Sequence, residues 1–318
     1  MKNLCCLIAA LIAAPAGAQS YPTKPIRMIV GSAPGGPIDF SARLVAQKIT
    51  ETLGQPVVVD NRTGAGGTIG TDYVAKSAPD GYTLLMASAA TLCIVPHIYP
   101  KIPYDTLKDF APISTATAVS YSLVVHPSLA VKSPQEFIAL ARAKPGHLRY
   151  GSAGNGTVTH LGVELLKSMA GLDLVHIPYK GAGPALIDLL GGQLDFMLDS
   201  VLTSTPHVKA GKLRALATTG LKRSTVLPDI PTMAETVLPG FEINTWFGLV
   251  APAKTPREII AKLNQAVVKG LLNAEMRERL LAQGIEPVGN SPAEFTQLMR
   301  EELPKWGKIA KISGAKLD

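Results

Sequence analysis

Residues 26–53 read IRMIVGSAPGGPIDFSARLVAQKITETL and contain the pattern that decides the fold. The apolar, β-branched run Ile26–Val30 predicts a buried strand, and the glycines and prolines after it predict a loop. From about Asp39 to Leu53, apolar residues return at helical spacing, which predicts a helix with one buried stripe. The residues expected in that stripe are Phe40, Leu44, Ile49 and Leu53.

Strand and helix patterns alternate in the same way as far as about residue 250. After that point the alternation stops, and three helices are predicted at about 256–272, 274–283 and 293–312. This order is typical of an α/β fold in which helices cover a mostly parallel sheet. A chain of 318 residues is long enough for two compact lobes or one large domain. Further strands are predicted at 56–59, 83–87, 123–125, 148–150, 174–177, 194–198, 213–217 and 247–250.

Three helix starts carry a capping signature, in which serine or threonine is followed by proline and then, two residues later, by glutamate. We expect the hydroxyl to accept a hydrogen bond from the backbone N–H of the glutamate. The glutamate side chain should in turn accept one from the N–H of the cap residue. The three segments are Ser133–Glu136, Thr255–Glu258 and Ser291–Glu294.

The first residues of the sequence predict export. Lys2 precedes the uncharged apolar run Leu4–Ala14, and Ala16-Gly17-Ala18 has the small-x-small form of a signal-peptidase site. The run is too short for a membrane-spanning helix, so we expect residues 1–18 to be a cleaved signal peptide and not an uncleaved anchor. We therefore predict a periplasmic protein without a membrane anchor. Its one remaining cysteine, Cys93, is expected to be a small buried residue.

Composition and motifs argue against several classes of protein. The net charge is +7, but the basic residues are dispersed and only 5% of residues are aromatic, which is unlike a nucleic-acid-binding protein. The glycine-rich segment 64–70 lacks the G-x-G-x-x-G spacing of dinucleotide-binding folds. The six histidines show no metal-ligand spacing, and there is no G-x-S-x-G motif. We therefore expect no cofactor, no metal and no nucleic-acid partner.

Two strand-to-helix loops have the features of an anion site. The first is Ala33–Pro37, with Asp39 expected as the N-cap of the helix that follows. The second is Gly151–Thr157, whose polar side chains are expected to lie beside free backbone amides. Such loops present unpaired N–H groups and the positive end of a helix dipole. A tight turn without any ligand is the alternative for the first loop, and the pattern alone leaves both open.

Two further residues have alternative roles. His160 lies one helical turn after the second loop, and a structural role is favoured over a ligand contact because buried polar groups must be hydrogen-bonded. Asp199 follows an apolar strand, where it would either accept a hydrogen bond from an amino or amide group of a ligand or cap the next helix.

Taken in order, these segments resemble the Bug family of extracytoplasmic receptors, the substrate-binding components of tripartite tricarboxylate transport systems. The resemblance covers nearly the whole predicted mature chain, and its specificity comes from the order of the segments. Those in the first half are APGG at 33–36, DNRxGAGG at 60–67, PDGYTL at 79–84 and PYD at 103–105. Those in the second half are GNGT at 154–157, HxPYKG at 176–181, AGKLRALA at 210–217, LPDxPT at 227–232 and WFGL at 246–249.

The resemblance implies a two-lobed, periplasmic-binding-protein fold of type II with a ligand cleft between the lobes. Lobe 1 would hold residues 21–120 and 244–318, and lobe 2 residues 121–243. Members of the family hold a carboxylate through backbone amides and ordered water. The positions carried over as ligand contacts are Gly35, Gly36, Ser88, Ser152, Gly154, Asn155, Thr157 and Asp199, with Tyr179 and Phe247 as wall residues.

Three positions depart from the usual pattern of the family, and they leave the identity of the solute open. They are Ser32, where an aromatic residue is usual, Ile38, where threonine is common, and Ser200, where asparagine is usual.

The function implied is that of a monomeric receptor, not an enzyme, which closes its hinge around a small carboxylate such as an organic acid or an amino acid. It would deliver this ligand to the membrane subunits of a tripartite tricarboxylate-type transporter. A sensor for a membrane signalling protein would have the same fold and site, and sequence does not separate the two. The alternative from another class is a small-molecule hydrolase or isomerase that uses His160 and Asp199.

Overall fold

A computed structural model describes residues 21–315, and the predicted signal peptide at residues 1–18 lies outside the described residues. The strands are β1 (Ile26–Val30), β2 (Val57–Asn61), β3 (Thr83–Ser88), β4 (Phe110–Val125), β5 (Arg149–Ser152), β6 (Val175–Pro178), β7 (Phe196–Ser200), β8 (Arg214–Thr218), β9 (Asn244–Pro252) and β10 (Ile285–Pro287). The helices are α1 (Pro37–Leu53), α2 (Thr68–Ala75), α3 (Val95–Ile98), α4 (Pro134–Ala143), α5 (Val158–Ala170), α6 (Ala182–Leu190), α7 (Val201–Lys209), α8 (Met233–Thr236), α9 (Arg257–Leu271), α10 (Ala274–Leu281) and α11 (Pro292–Ser313).

Strand β4 connects two groups of strands. Its first part, Phe110–Ser120, pairs with β9, and its last five residues, Tyr121–Val125, pair with β7 and β8. On one side of this connection lie β2, β1, β3, β9 and β10, and on the other lie β7, β8, β5 and β6. The sequence analysis predicted only the last three residues of β4, because the stretch before them consists mostly of Ala, Ser and Thr and gives a weak strand signal.

The α/β class predicted from sequence is confirmed, but the expectation of a mostly parallel sheet is wrong. Strand β1 pairs in parallel with β2 and β3, and β5 pairs in parallel with β6 and β7. Every contact of β4 is antiparallel, as is the contact of β3 with β9. The sheet is therefore mixed, because the two strands at its centre run against their neighbours.

Helix α1 buries a different stripe from the one predicted. Phe40 is 37% exposed, and Leu44 and Leu53 are half-buried, so only Ile49 was placed correctly. The apolar side chains that this helix buries are Ala42, Val45, Ala46 and Ile49. They pack in one cluster with Met28 of β1 and Leu263 of α9. Small residues at these positions let the helix approach the sheet closely, which the larger residues on the adjacent face would prevent.

The three predicted capping signatures have different outcomes. Ser291 forms the complete box with Glu294, as predicted. Ser133 accepts from the N–H of Glu136, but the Glu136 carboxylate accepts from the N–H of Lys132 instead of that of the cap residue. The prediction for Thr255 is wrong. Its hydroxyl donates to the carbonyl of Pro252 in the preceding turn, and α9 begins one residue later than predicted.

Two other features concern the helix lengths and the remaining cysteine. Within residues 21–315, no helix is both long enough and apolar enough to cross a membrane. Cys93 is a buried free thiol, as expected, and burial raises its pKa well above the usual range. It lies in a helical turn at Ala90–Ile94 and not in a strand.

Candidate functional site

The first predicted loop joins β1 to α1 and faces open space. Gly36 occupies the N-cap position with φ −82° and ψ 170°, and Gly35 has φ +90°. A Cβ atom placed on either glycine would meet no other atom within 4 Å. The backbone N–H groups of Gly36 and Ile38 donate to no acceptor among residues 21–315. These two amides are available to an anion at the positive end of α1.

Asp39 stabilises this loop from inside the helix. It is the third residue of α1, so the predicted role as N-cap is wrong: the helix starts at Pro37, where proline fits the first turn. Its carboxylate accepts from the N–H of Gly35 at 3.0 Å, from Nε of Arg43 at 2.9 Å and from Nδ2 of Asn61 at 3.0 Å. Burial opposes ionisation of Asp39, but these bonds outweigh it and lower its pKa. The Gly35 amide is therefore occupied and is not available to a ligand.

The second predicted loop joins β5 to α5 and satisfies most of its own amides. The N–H of Ala153 donates to the hydroxyl of Thr159, and that of Gly154 donates to the hydroxyl of Ser152. Thr157 caps α5 and donates its own hydroxyl to the carbonyl of Gly154 at 2.7 Å. The expectation of several free amides is wrong for these residues. Asn155 is the exception, since it is exposed and neither its backbone nor its side chain bonds to residues 21–315.

Two stacked histidines support the second loop. The rings of His160 and His176 lie 4.1 Å apart at 6°. His160 accepts from the N–H of Gly156 through Nδ1, and Nε2 of His176 lies 2.6 Å from the hydroxyl of Ser152. Burial, followed by the charge of His160, lowers the pKa of His176 to about 4, and burial also lowers that of His160. The structural role favoured for His160 fits this geometry, and the role of His176 was missed.

Ser88, Phe247 and Tyr179 are partly or fully buried in this structure. Ser88 ends β3, directly opposite Phe247 of β9, and both are buried. The hydroxyl of Ser88 accepts from the N–H of Thr91 at 3.2 Å. Tyr179 is half-buried, and its hydroxyl donates to Asp188 on α6 at 2.6 Å. Their ligand roles stay predictions.

Asp199 ends β7 and is 1% exposed. Its Oδ2 accepts from the hydroxyl of Thr203 at 2.7 Å, whereas its Oδ1 has no hydrogen-bond partner. Burial raises its pKa to about 6, and bonds from Thr203 and from the N–H of Ser200 offset part of that rise. The helix that follows is capped by Ser200, so the capping role considered for Asp199 is wrong.

The ten predicted contacts fall into two groups on either side of the strand connection. Gly35, Gly36, Ser88 and Phe247 belong to the first, and Ser152, Gly154, Asn155, Thr157, Tyr179 and Asp199 to the second. Strand β4 touches both, because Thr117 pairs with Phe247 and Ser122 pairs with Asp199. Five residues of strand separate these two points, which corresponds to roughly 16 Å.

A metal-binding cluster or a cavity would be another kind of candidate site among residues 21–315. Within the described part of the chain, no three side chains of His, Cys, Asp or Glu are placed to hold a metal ion. A cavity of about 470 Å³ is lined by residues 118–120 of β4, by Asn244 at the start of β9, by residues 220–225 and by α10.

Comparison with known proteins gives a consistent result. The family model described as "Tripartite tricarboxylate transporter family receptor" matches residues 41–315. The BugT protein of Bordetella pertussis is 42% identical over 307 residues, which cover 96% of this chain and 94% of BugT. The R. palustris protein Rpa4515 with adipate is 37% identical, has a TM-score of 0.86, and is matched over 93% of this chain and all of its own. MatC from Rhodopseudomonas palustris with bound malate is 35% identical with a TM-score of 0.81, over 91% of this chain and 99% of its own.

Proposed function

The chain belongs to the tripartite tricarboxylate transporter receptor family, and from that premise we propose that it is a periplasmic receptor for a small carboxylate. It binds the ligand without changing it chemically and delivers it to the membrane subunits of a transporter. Two relatives support this ligand class, since one structure contains adipate and the other malate.

The observation that carries the proposal is the pair of strand-to-helix loops on opposite sides of β4. The first leaves the amides of Gly36 and Ile38 without a protein acceptor, and the second leaves Asn155 exposed and unbonded within residues 21–315. The carboxylate beside the first loop, that of Asp39, is paired with Arg43. The second loop, Gly151–Thr157, contains no acidic residue. Such groups suit a carboxylate ligand.

We further propose that the two groups of strands are the predicted lobes, residues 21–120 with 244–318 and residues 121–243. The first connection between them lies within β4, which passes residue 120, and the second comes directly before β9, which begins at Asn244. A bend at these two points would bring one loop towards the other and remove a bound carboxylate from water.

The environment of the side chains that could act in catalysis argues against an enzyme. His160 and His176 each use one ring nitrogen to hold the second loop, and Cys93 is buried. A general base must reach the substrate with a free lone pair or proton.

The experiment is to purify the protein from periplasm, denature it and identify the released small molecule by mass spectrometry. The identified acid is then titrated into refolded protein, and the recovered ligand is analysed again. We expect one carboxylate per chain, returned unchanged. Failure of the released compound and of adipate and malate to bind would contradict the receptor function, and conversion to a product would establish an enzyme.

A further inference from the structure

Asp199 lies at the same edge of the sheet as the second loop. Strands β5 and β7 are parallel, with Gly151 beside Met197. Continuing that register by two residues places Asp199 beside Ala153, at about the spacing of neighbouring strands. The carboxyl ends of parallel strands are where α/β proteins bind ligands.

Burying the unpaired Oδ1 of Asp199 destabilises the folded protein. The side chain is 1% exposed, and its Oδ1 has no partner among residues 21–315. A buried carboxylate oxygen without a donor is strongly destabilised, so either a proton or a ligand must satisfy it.

The surroundings of Asp199 supply no cation. No lysine or arginine nitrogen among residues 21–315 lies within 4 Å of its carboxylate. Across β4, the phenol of Tyr121 is neutral, because burial and then the charge of Asp199 raise its pKa. Two neighbours donate hydrogen bonds to Asp199: Thr203 on α7 and the N–H of Ser200, the residue that caps α7.

The remaining neighbours are uncharged or held neutral. Asp199 faces Ser122 of β4, whose hydroxyl bonds to Ser204. On the side of the second loop, the titratable groups are the stacked pair His160 and His176, whose pKa values are lowered. An anionic ligand at this edge would therefore meet Asp199 without a compensating positive charge.

We propose that Asp199 is the proton-carrying contact of the site: it takes up a proton when the ligand binds and donates a hydrogen bond from that proton to the ligand carboxylate. This inference rests on the proposed function and deepens it. Two carboxyl groups in contact share one proton, because both cannot be ionised at short range. The proton comes from solvent, and no bond other than O–H is made or broken.

The proton count follows from the pKa of about 6 for Asp199 in the free protein. Such a group is about one-tenth protonated at pH 7, so binding should take up about 0.9 proton per ligand. Above pH 7 the affinity should fall about tenfold for each pH unit, because every binding event then requires a proton from solvent.

The test is isothermal titration of adipate, and then of malate, into wild-type protein and Asp199→Asn at pH 7 and pH 8. Each titration is repeated in phosphate and in Tris, whose ionisation enthalpies differ. We expect buffer-dependent enthalpies in the wild type only. Asparagine keeps the shape and a permanent N–H donor, so we expect its affinity to be independent of pH and about tenfold or more above that of wild type at pH 8.

The outcomes separate this inference from the proposed function. Tight binding by the wild type with the same enthalpy in both buffers would overturn the proton uptake while leaving the receptor function intact. Loss of binding in Asp199→Asn, again without proton uptake in wild type, would show that an ionised Asp199 accepts from a ligand amino or hydroxyl group. If neither acid binds the wild type, the carboxylate function fails and this inference fails with it. The wild-type titrations do not depend on how the variant folds.

Discussion

At the scale of single residues, the two adjacent glycines of the first loop differ in backbone conformation. Gly36 has φ −82°, a conformation open to any residue, and Gly35 has φ +90°, which strains a side chain. Both positions face empty space. Substitution therefore separates a steric effect on ligand binding at Gly36 from a backbone effect on folding at Gly35.

We predict that Gly36→Val lowers the free energy of unfolding by no more than about 1 kcal/mol, because the added Cβ atom has open space around it and only the N-cap preference for glycine is lost. The new side chain would occupy open space at the loop that carries the unpaired amides of Gly36 and Ile38, so affinity for the released ligand should fall tenfold or more. Urea unfolding and calorimetric titration measure the two effects. Gly35→Val is the matched variant and should be destabilised. Undiminished affinity in Gly36→Val would remove the first loop from the site.

The histidine pair predicts a pH dependence of stability. The pKa of His176 is about 4 in the folded protein and about 6.5 in the unfolded chain. Between these values the unfolded chain binds more protons, so the stability present above pH 6.5 is lost as the pH falls towards 4.

Measuring the free energy of unfolding at several pH values should show a weaker loss over this window in His176→Gln than in wild type. His147 is exposed and serves as the control, since His147→Gln should keep the wild-type slope. Identical slopes in all three proteins would show that the stacked pair is not held neutral by the fold.

At the scale of elements, the start of α11 depends on a capping box that the sequence predicted. Ser291 accepts from the N–H of Glu294 at 3.2 Å, and the glutamate bonds back to the N–H of Ser291 at 2.8 Å. Ser291→Ala should lower the free energy of unfolding by about 1 kcal/mol, and Ser291→Thr should restore most of it. Denaturant unfolding gives both values. An effect of Ser291→Ala close to zero would mean that packing alone holds this helix end.

Sequence patterns predicted the elements whose structure is set by a local signal. They failed for the elements whose structure is set by tertiary contacts. The loop at Gly151–Thr157 was located correctly, because glycines and a cap residue are local features. The bonds that occupy its amides come from Thr159, His160 and Ser152, and side-chain direction cannot be read from spacing. The length of β4 was missed for a similar reason, since a segment that consists mostly of Ala, Ser and Thr is fixed as a strand by its pairing with β7, β8 and β9.

At the scale of the whole molecule, β4 passes between the proposed lobes, and the second connection between them enters β9 at Asn244. A ligand that contacts both loops binds the closed form more tightly than the open form, and it shifts the population by that difference in affinity. The open and closed forms also differ in compactness, which can be measured without knowing any atomic contact. Ligand binding should therefore change both the thermal stability and the size of the protein.

We predict that saturating ligand raises the melting temperature and lowers the radius of gyration measured by small-angle X-ray scattering. At a ligand concentration one hundred times the Kd, binding stabilises the folded protein by about 2.7 kcal/mol, which corresponds to roughly 4 °C for a chain of this size. Asn155→Ala removes the exposed side-chain amide of the second loop and should reduce both effects at the same ligand concentration. The control is Gln297→Ala on α11, which should reduce neither effect, because the Gln297 side-chain amide bonds only to Glu301. A rise in melting temperature with an unchanged radius of gyration would mean that the ligand binds one loop group without closure, and the hinge would then have no part in recognition.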